Sequence, residues 1–183
     1  MSKIIIAGLD PALRNVGMAK GTLDLSEGLF ELSTTALAQT TKNTTKTNTV
    51  RSDDLERCKT ILSAVADFVK DVDILFIELP IGSQTSAAQK SYAICIMLLA
   101  AIQHMYNLPA IIVDPKYLKQ HTAGKGATKE QMISWLHSEY PHMISSFPKA
   151  KDKCEHIADA VGAIHAGVNL NEFNLLTQVY NRK

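Results

Sequence analysis

The sequence predicts one α/β domain built on a mixed sheet covered by helices. Two observations carry this. Segments 4–8, 16–25 and 29–41 read as strands, with Ser26-Glu27-Gly28 as a hairpin turn between the second and third. Two short, wholly apolar runs, 74–77 and 110–113, then alternate with long stretches of helical periodicity. An antiparallel hairpin section followed by α/β crossovers implies a mixed sheet.

Each element has a local reason. Segment 4–8 is β-branched and ends at Leu9-Asp10-Pro11, a turn signal. Residues 34–49 carry eight threonines with Lys42, Asn43, Lys46 and Asn48, and lack a hydrophobic period. The second half of this stretch is expected to be an exposed, mobile loop. Ser52-Asp53-Asp54 is expected to cap a helix whose stripe is Leu55, Cys58, Leu62, Val65 and Val69. Residues 86–106 form a long helix, apolar nearly all round over 93–102, which calls for a partner beyond its own sheet. Shorter helices are expected over 116–121 and 128–136, joined by the glycine-containing 123–127. A last helix over 152–168 has the stripe Cys154, Ile157, Val161, Ile164 and Val168.

Composition narrows the class. The chain has 183 residues, expected to be a single domain over 1–183, with 46% hydrophobic and 20% charged residues. That is globular composition, not disordered or collagen-like. No apolar run reaches the roughly 18 residues of a membrane span. The first six residues read as a strand rather than a signal peptide, so a cytoplasmic protein without membrane partners is expected. The net charge is +1, from 19 basic and 18 acidic residues, which neither requires nor excludes nucleic acid. Cys58, Cys95 and Cys154 are widely spaced and odd in number, so reduced core thiols are expected.

Three acids sit where chemistry would want them. Asp10 ends the first strand, Glu78 ends what reads as the central buried strand, and Asp159 lies in an apolar helix one turn after His156. Buried carboxylates are costly unless paired or bound to metal. A cluster of oxygens with one histidine suits Mg²⁺ or Mn²⁺. Plainer roles stand beside this one: Asp10 before Pro11 as a turn former, Glu78 as the partner of a lysine, His156 as a structural histidine. Asp152 and Glu155 fall in a charged run and are expected to be solvated. The lysines of the last third, Lys116, Lys119, Lys125, Lys129, Lys149, Lys151 and Lys153, form either a phosphate-contacting set or a solvated face.

Four blocks, in order, resemble the RuvC-type Holliday junction resolvases. They are Gly8-Leu9-Asp10-Pro11-Ala12-Leu13-Arg14-Asn15-Val16-Gly17-Met18-Ala19, then Phe76-Ile77-Glu78, then 113–119 with 124–132, and finally His156-Ile157-Ala158-Asp159-Ala160. The resemblance implies an RNase H-like fold with a mixed five-stranded sheet and helices on both faces. It implies a homodimer and metal-dependent cutting of branched DNA to 5′-phosphate and 3′-hydroxyl ends. Its metal ligands carry over as Asp10, Glu78, Asp159 and His156, holding two Mg²⁺ ions with Mn²⁺ able to substitute. Lys119 and Lys129 match family lysines, Lys129 as the catalytic one. Lys116, Lys119, Lys125 and Lys129 are the expected DNA contacts. The apolar stretch 93–102 of the long helix is the dimer candidate, through Ala93, Met97, Ala100 and Ala101.

The sequence also departs from the family. Ala12 replaces a usual glycine, which is expected to tighten the backbone near Asp10. Ile81 stands in for a junction-wedging aromatic, and the Thr/Lys loop has no counterpart. Such a diverged, compact member suits a phage-like source. Three other readings remain: an RNase H-like nuclease of the YqgF type acting on RNA, a junction-binding protein that does not cut, and an actin-like sugar-kinase half-domain. Nothing in the sequence points to an accessory protein.

Overall fold

The computed structural model describes residues 3–43, 45, 49–79 and 85–180. Five strands form one sheet: β1 Lys3–Pro11, β2 Asn15–Asp24, β3 Leu29–Gln39, β4 Ile74–Glu78 and β5 Ala110–Val113. Their order across the sheet is β3-β2-β1-β4-β5. β1–β2 and β2–β3 are antiparallel, whereas β1–β4 and β4–β5 are parallel, which makes the expected mixed sheet. The middle strand is β1, not β4 as the apolar run suggested. β1 does not stop at Gly8; its pairing with β2 continues through Asp10↔Gly17 to Pro11↔Val16.

Alternation along β1 and β4 divides the core in two. Ile4, Ile6, Ile74 and Phe76 face one cluster; Ala7, Leu9, Leu75 and Ile77 face the other. The first face is covered by α3 Pro115–Gln120, α4 Lys129–Glu139, α5 Lys151–Gly167 and α6 Asn171–Tyr180, and the second by α1 Val50–Val69 and α2 Ser86–Tyr106. The helix bounds follow their caps. Thr128 and Gln131 form a reciprocal capping box that starts α4. α1 is capped by Thr49, whose hydroxyl accepts from the Ser52 N–H, rather than by the expected Ser52-Asp53-Asp54. Asp53 instead lies buried in the first turn and accepts from the Asn43 N–H at 2.9 Å, which ties down the chain entering the helix.

A 3-10 turn at Pro141–Ser146 and α6 were not anticipated. The inward stripe of α6 is short, and its anchor is tertiary: Phe173 packs on Phe76 with ring centroids 5.7 Å apart. The cysteines are free, with Cys95 and Cys154 buried. In the Thr/Lys-rich stretch, residues 41–43, 45 and 49 are exposed, while 44 and 46–48 lie outside the described residues. No helix among the described residues is long and apolar enough to cross a membrane.

Candidate metal centre

Two neighbouring parallel strands and one helix build the site. Leu9 pairs with Ile77, so the next residues, Asp10 and Glu78, emerge side by side at the same sheet end. α5 lies across that end at unusually short range, and glycine permits it. A Cβ on Gly17 would stand 1.9 Å from the His156 carbonyl oxygen, and one on Gly8 would stand 1.9 Å from that of Ala160. No other residue type allows this approach, which brings His156 and Asp159 over β1 and β2.

The result is a compact acid cluster. Asp10, Glu78 and Asp159 each offer an oxygen within 4.8 Å of the others. One Glu78 oxygen, Oε2, is buried with no hydrogen-bond partner. His156 sits beside the three acids, its Nδ1 bonded to Asp10 Oδ2. Thus all four expected ligands meet at one place, the three carboxylates as a cluster and the histidine through Asp10.

The electrostatics are those of a site lacking positive charge. Burial pushes Glu78 up to about 9, with the Asp159 and Asp10 charges adding to it and Lys119 opposing. Burial likewise pushes Asp159 up to about 7, with Asp10 adding while Lys119 and His156 oppose. Burial alone would lower the His156 imidazole, but its bond to Asp10 and the charges of Asp10, Glu155 and Asp159 outweigh it and raise it. A hard divalent cation fits this donor set: it would take up the orphaned Glu78 oxygen and relieve the mutual repulsion.

The lysines divide. Lys119 is half-buried, and its charge is felt at both Glu78 and Asp159. Lys129 is exposed and donates to Glu155 Oε1 at 2.6 Å. Lys116 and Lys125 are exposed on and after α3. Glu155 therefore corrects the sequence reading: it is not solvated but lies 14% exposed and paired with Lys129. Its position one turn before Asp159 was the available signal. Asp152 is exposed, as expected.

The turn after Asp10 is held by residues the sequence did not single out. Arg57 on α1 donates from Nη2 to the Leu13 carbonyl at 3.0 Å and from Nε to Thr40 Oγ1 at 2.9 Å. The Thr40 N–H donates to the Arg14 carbonyl at 2.9 Å. Ala12 closes this turn with ordinary backbone, since Asn107 is the one described non-glycine residue with positive φ. Ile81 lies outside the described residues.

The class of fold is now defined: it is the RNase H-like architecture of the resolvases. Two similar solved structures are RuvC of Thermus thermophilus in complex with a Holliday junction substrate and the Holliday junction resolvase of fowlpox virus. The first matches with a TM-score of 0.65 and 16% identity, covering 89% of this chain and 92% of that one. The second matches with a TM-score of 0.53 and 13% identity, covering 90% and 97%. A fowlpox resolvase complex with Holliday junction DNA matches at a TM-score of 0.54 and 15% identity, covering 91% of this chain and 100% of that one. No protein-family model and no curated protein matches the sequence.

Proposed function

We propose that this chain is a RuvC-type resolvase, a divalent-metal-dependent endodeoxyribonuclease. On this reading it cuts four-way DNA junctions in paired strands and leaves 5′-phosphate and 3′-hydroxyl ends. The carrying observation is the half-buried Glu78 carboxyl, clustered with Asp10 and Asp159, with one buried oxygen unpartnered. Two Mg²⁺ ions, or Mn²⁺ in their place, would be held by Asp10, Glu78 and Asp159, with His156 as the fourth ligand. When bound, such ions supply Lewis acidity toward the attacking water and the departing oxygen.

The chain's own residues do the rest. Arg57 and Thr40 keep the turn beside Asp10 in place. Lys129 and Lys119 offset charge on the phosphate. Lys116, Lys119, Lys125 and Lys129 grip the DNA backbone, so affinity falls steeply with added salt. α2 supplies the dimer contact: Ala93, Ile96, Met97 and Ala100 are exposed along one face, with Met97 69% exposed, while Ala101 is half-buried. A two-fold axis there would present two active sites to opposing strands. A protein of this activity works where the DNA is, and the reading places it in the cytoplasm.

The test is cleavage of a synthetic four-way junction with Mg²⁺ or Mn²⁺, with linear duplex, flap and RNA controls. Symmetric nicks in opposing strands are expected, and Asp159→Asn should abolish them while leaving junction binding in place. Cutting confined to flaps or RNA would keep the site and change the substrate, toward the YqgF-like alternative. Tight junction binding by a wild type that never cuts would make the protein architectural.

A further inference from the structure

We infer that Glu155 is a positioning residue for Lys129. Its carboxylate holds the ammonium at the mouth of the acid cluster, so that an incoming phosphate meets a cation already in place. The inference rests on the nuclease reading above and adds to it a residue that the carried-over ligand set does not contain.

The two partners differ in how firmly they are held. Lys129 opens α4, and its side chain is 72% exposed, whereas that of Glu155 is 14% exposed. A lysine so exposed has a flexible four-carbon stem with many rotamers available. Glu155 favours one of those rotamers through a 2.6 Å charge-assisted hydrogen bond. Glu155 is rooted in α5, which also carries His156 and Asp159. One rigid helix therefore sets both the ligands and the anchor of the lysine, as preorganised sites require.

The surrounding charge argues the same way. Glu155 adds a negative charge beside Asp159, at a site already crowded with carboxylates. Left unpaired, it would oppose both phosphate and the ionised cluster. Lys129 returns the missing positive charge and lies within the field of Asp159 and Asp10.

A double-mutant cycle tests this. Wild type, Glu155→Ala, Lys129→Ala and the double variant are compared in single-turnover cleavage of a four-way junction at saturating Mg²⁺. Lys129→Ala should cost about 100-fold, in the range of a lost transition-state donor. Glu155→Ala should cost about tenfold, and the double variant should be no slower than Lys129→Ala, because Glu155 acts only through that lysine. Glu155→Gln, which keeps an acceptor oxygen, should fall between wild type and Glu155→Ala and guards against a folding defect. In the metal-free protein, an amine-acylating reagent read by mass spectrometry should label Lys129 faster in both Glu155 variants than in wild type.

A Glu155→Gln variant that cuts faster than wild type would make Glu155 a competitor of the phosphate and overturn the inference. A double variant slower than Lys129→Ala by the full Glu155→Ala factor, or unchanged labelling, would overturn it equally. In each case wild-type cutting stays intact, so the nuclease reading survives. A wild type that cuts no branched DNA would remove that reading and this role together.

Discussion

The two faces of the sheet are closed in different ways. On one, α5 presses its backbone against β1 and β2 through Gly8 and Gly17, and Phe76 fills the space over Gly167. Ten α5 residues are buried, Ile157, Val161 and Ile164 among them. On the other face, α2 buries Cys95, Leu99 and Ile102 but leaves Ile96, Met97 and Met105 exposed. A small apolar void of about 10 Å³ remains there, lined by Leu9, Ile61, Val65, Cys95, Leu99 and Ile102. The closed face carries the acids; the looser face carries exposed apolar side chains. Positioning ligands requires backbone at fixed range, which glycine contacts provide. An association surface requires only that apolar side chains stay outside.

The largest effect should come from breaking the closed face. Gly17→Ala puts a methyl where the His156 carbonyl stands. We expect a loss of about 3 kcal/mol, at the upper end for overpacking, because the obstacle is backbone that cannot rotate away. Metal-dependent stabilisation should be lost with it. Urea unfolding with and without Mg²⁺ measures both. Gly28→Ala, where a Cβ meets nothing within 4 Å but φ is +69°, should cost only about 1 kcal/mol.

A smaller effect concerns protons at the same site. Glu78 is raised from 4.5 to about 9 and Asp159 from 3.8 to about 7. The folded metal-free protein thus holds protons that the unfolded chain releases. Its stability should therefore fall as pH climbs from the ordinary carboxylate range through these raised values. A cation takes the place of those protons, so Mg²⁺ should raise Tm more at about pH 8.5 than at about pH 5.5. Glu78→Gln should flatten that difference, and thermal scans at both pH values decide it.

The smallest effect on stability should fall on the open face. Met97→Glu changes a side chain that is 69% exposed, so monomer stability should move by less than about 1 kcal/mol. If α2 is the dimer contact, the same change should convert a dimer to a monomer by light scattering and unpair the two nicks in a junction. An unchanged dimer would move the contact away from α2.

Much of this was legible in the chain. The bounds 86–106 and 110–113 are those observed, because long apolar periodicity and short β-branched runs speak for themselves. α6 was not legible, since its inward stripe is short and Phe173 finds its ring partner, Phe76, on a distant strand. The two histidines of α5 mark the same limit. His156 and His165 both border an apolar stripe, yet the first joins the acids and the second bonds Tyr140 Oη at 2.6 Å in the core. Burial lowers His165, while its surroundings raise His156. The environment that separates them is assembled from other elements.

Local sequence determined the five strands, the helices α1 to α5 and the residues able to hold a cation, because periodicity and side-chain chemistry act within a few residues. Tertiary structure alone decided that β1 is the middle strand and that Glu155 takes Lys129. It also decided that Arg57 clamps the turn after Asp10 and that one Glu78 oxygen is left without a donor. Each of these depends on distances between residues far apart in the chain, which strand pairing and the packing of α1, α4 and α5 set.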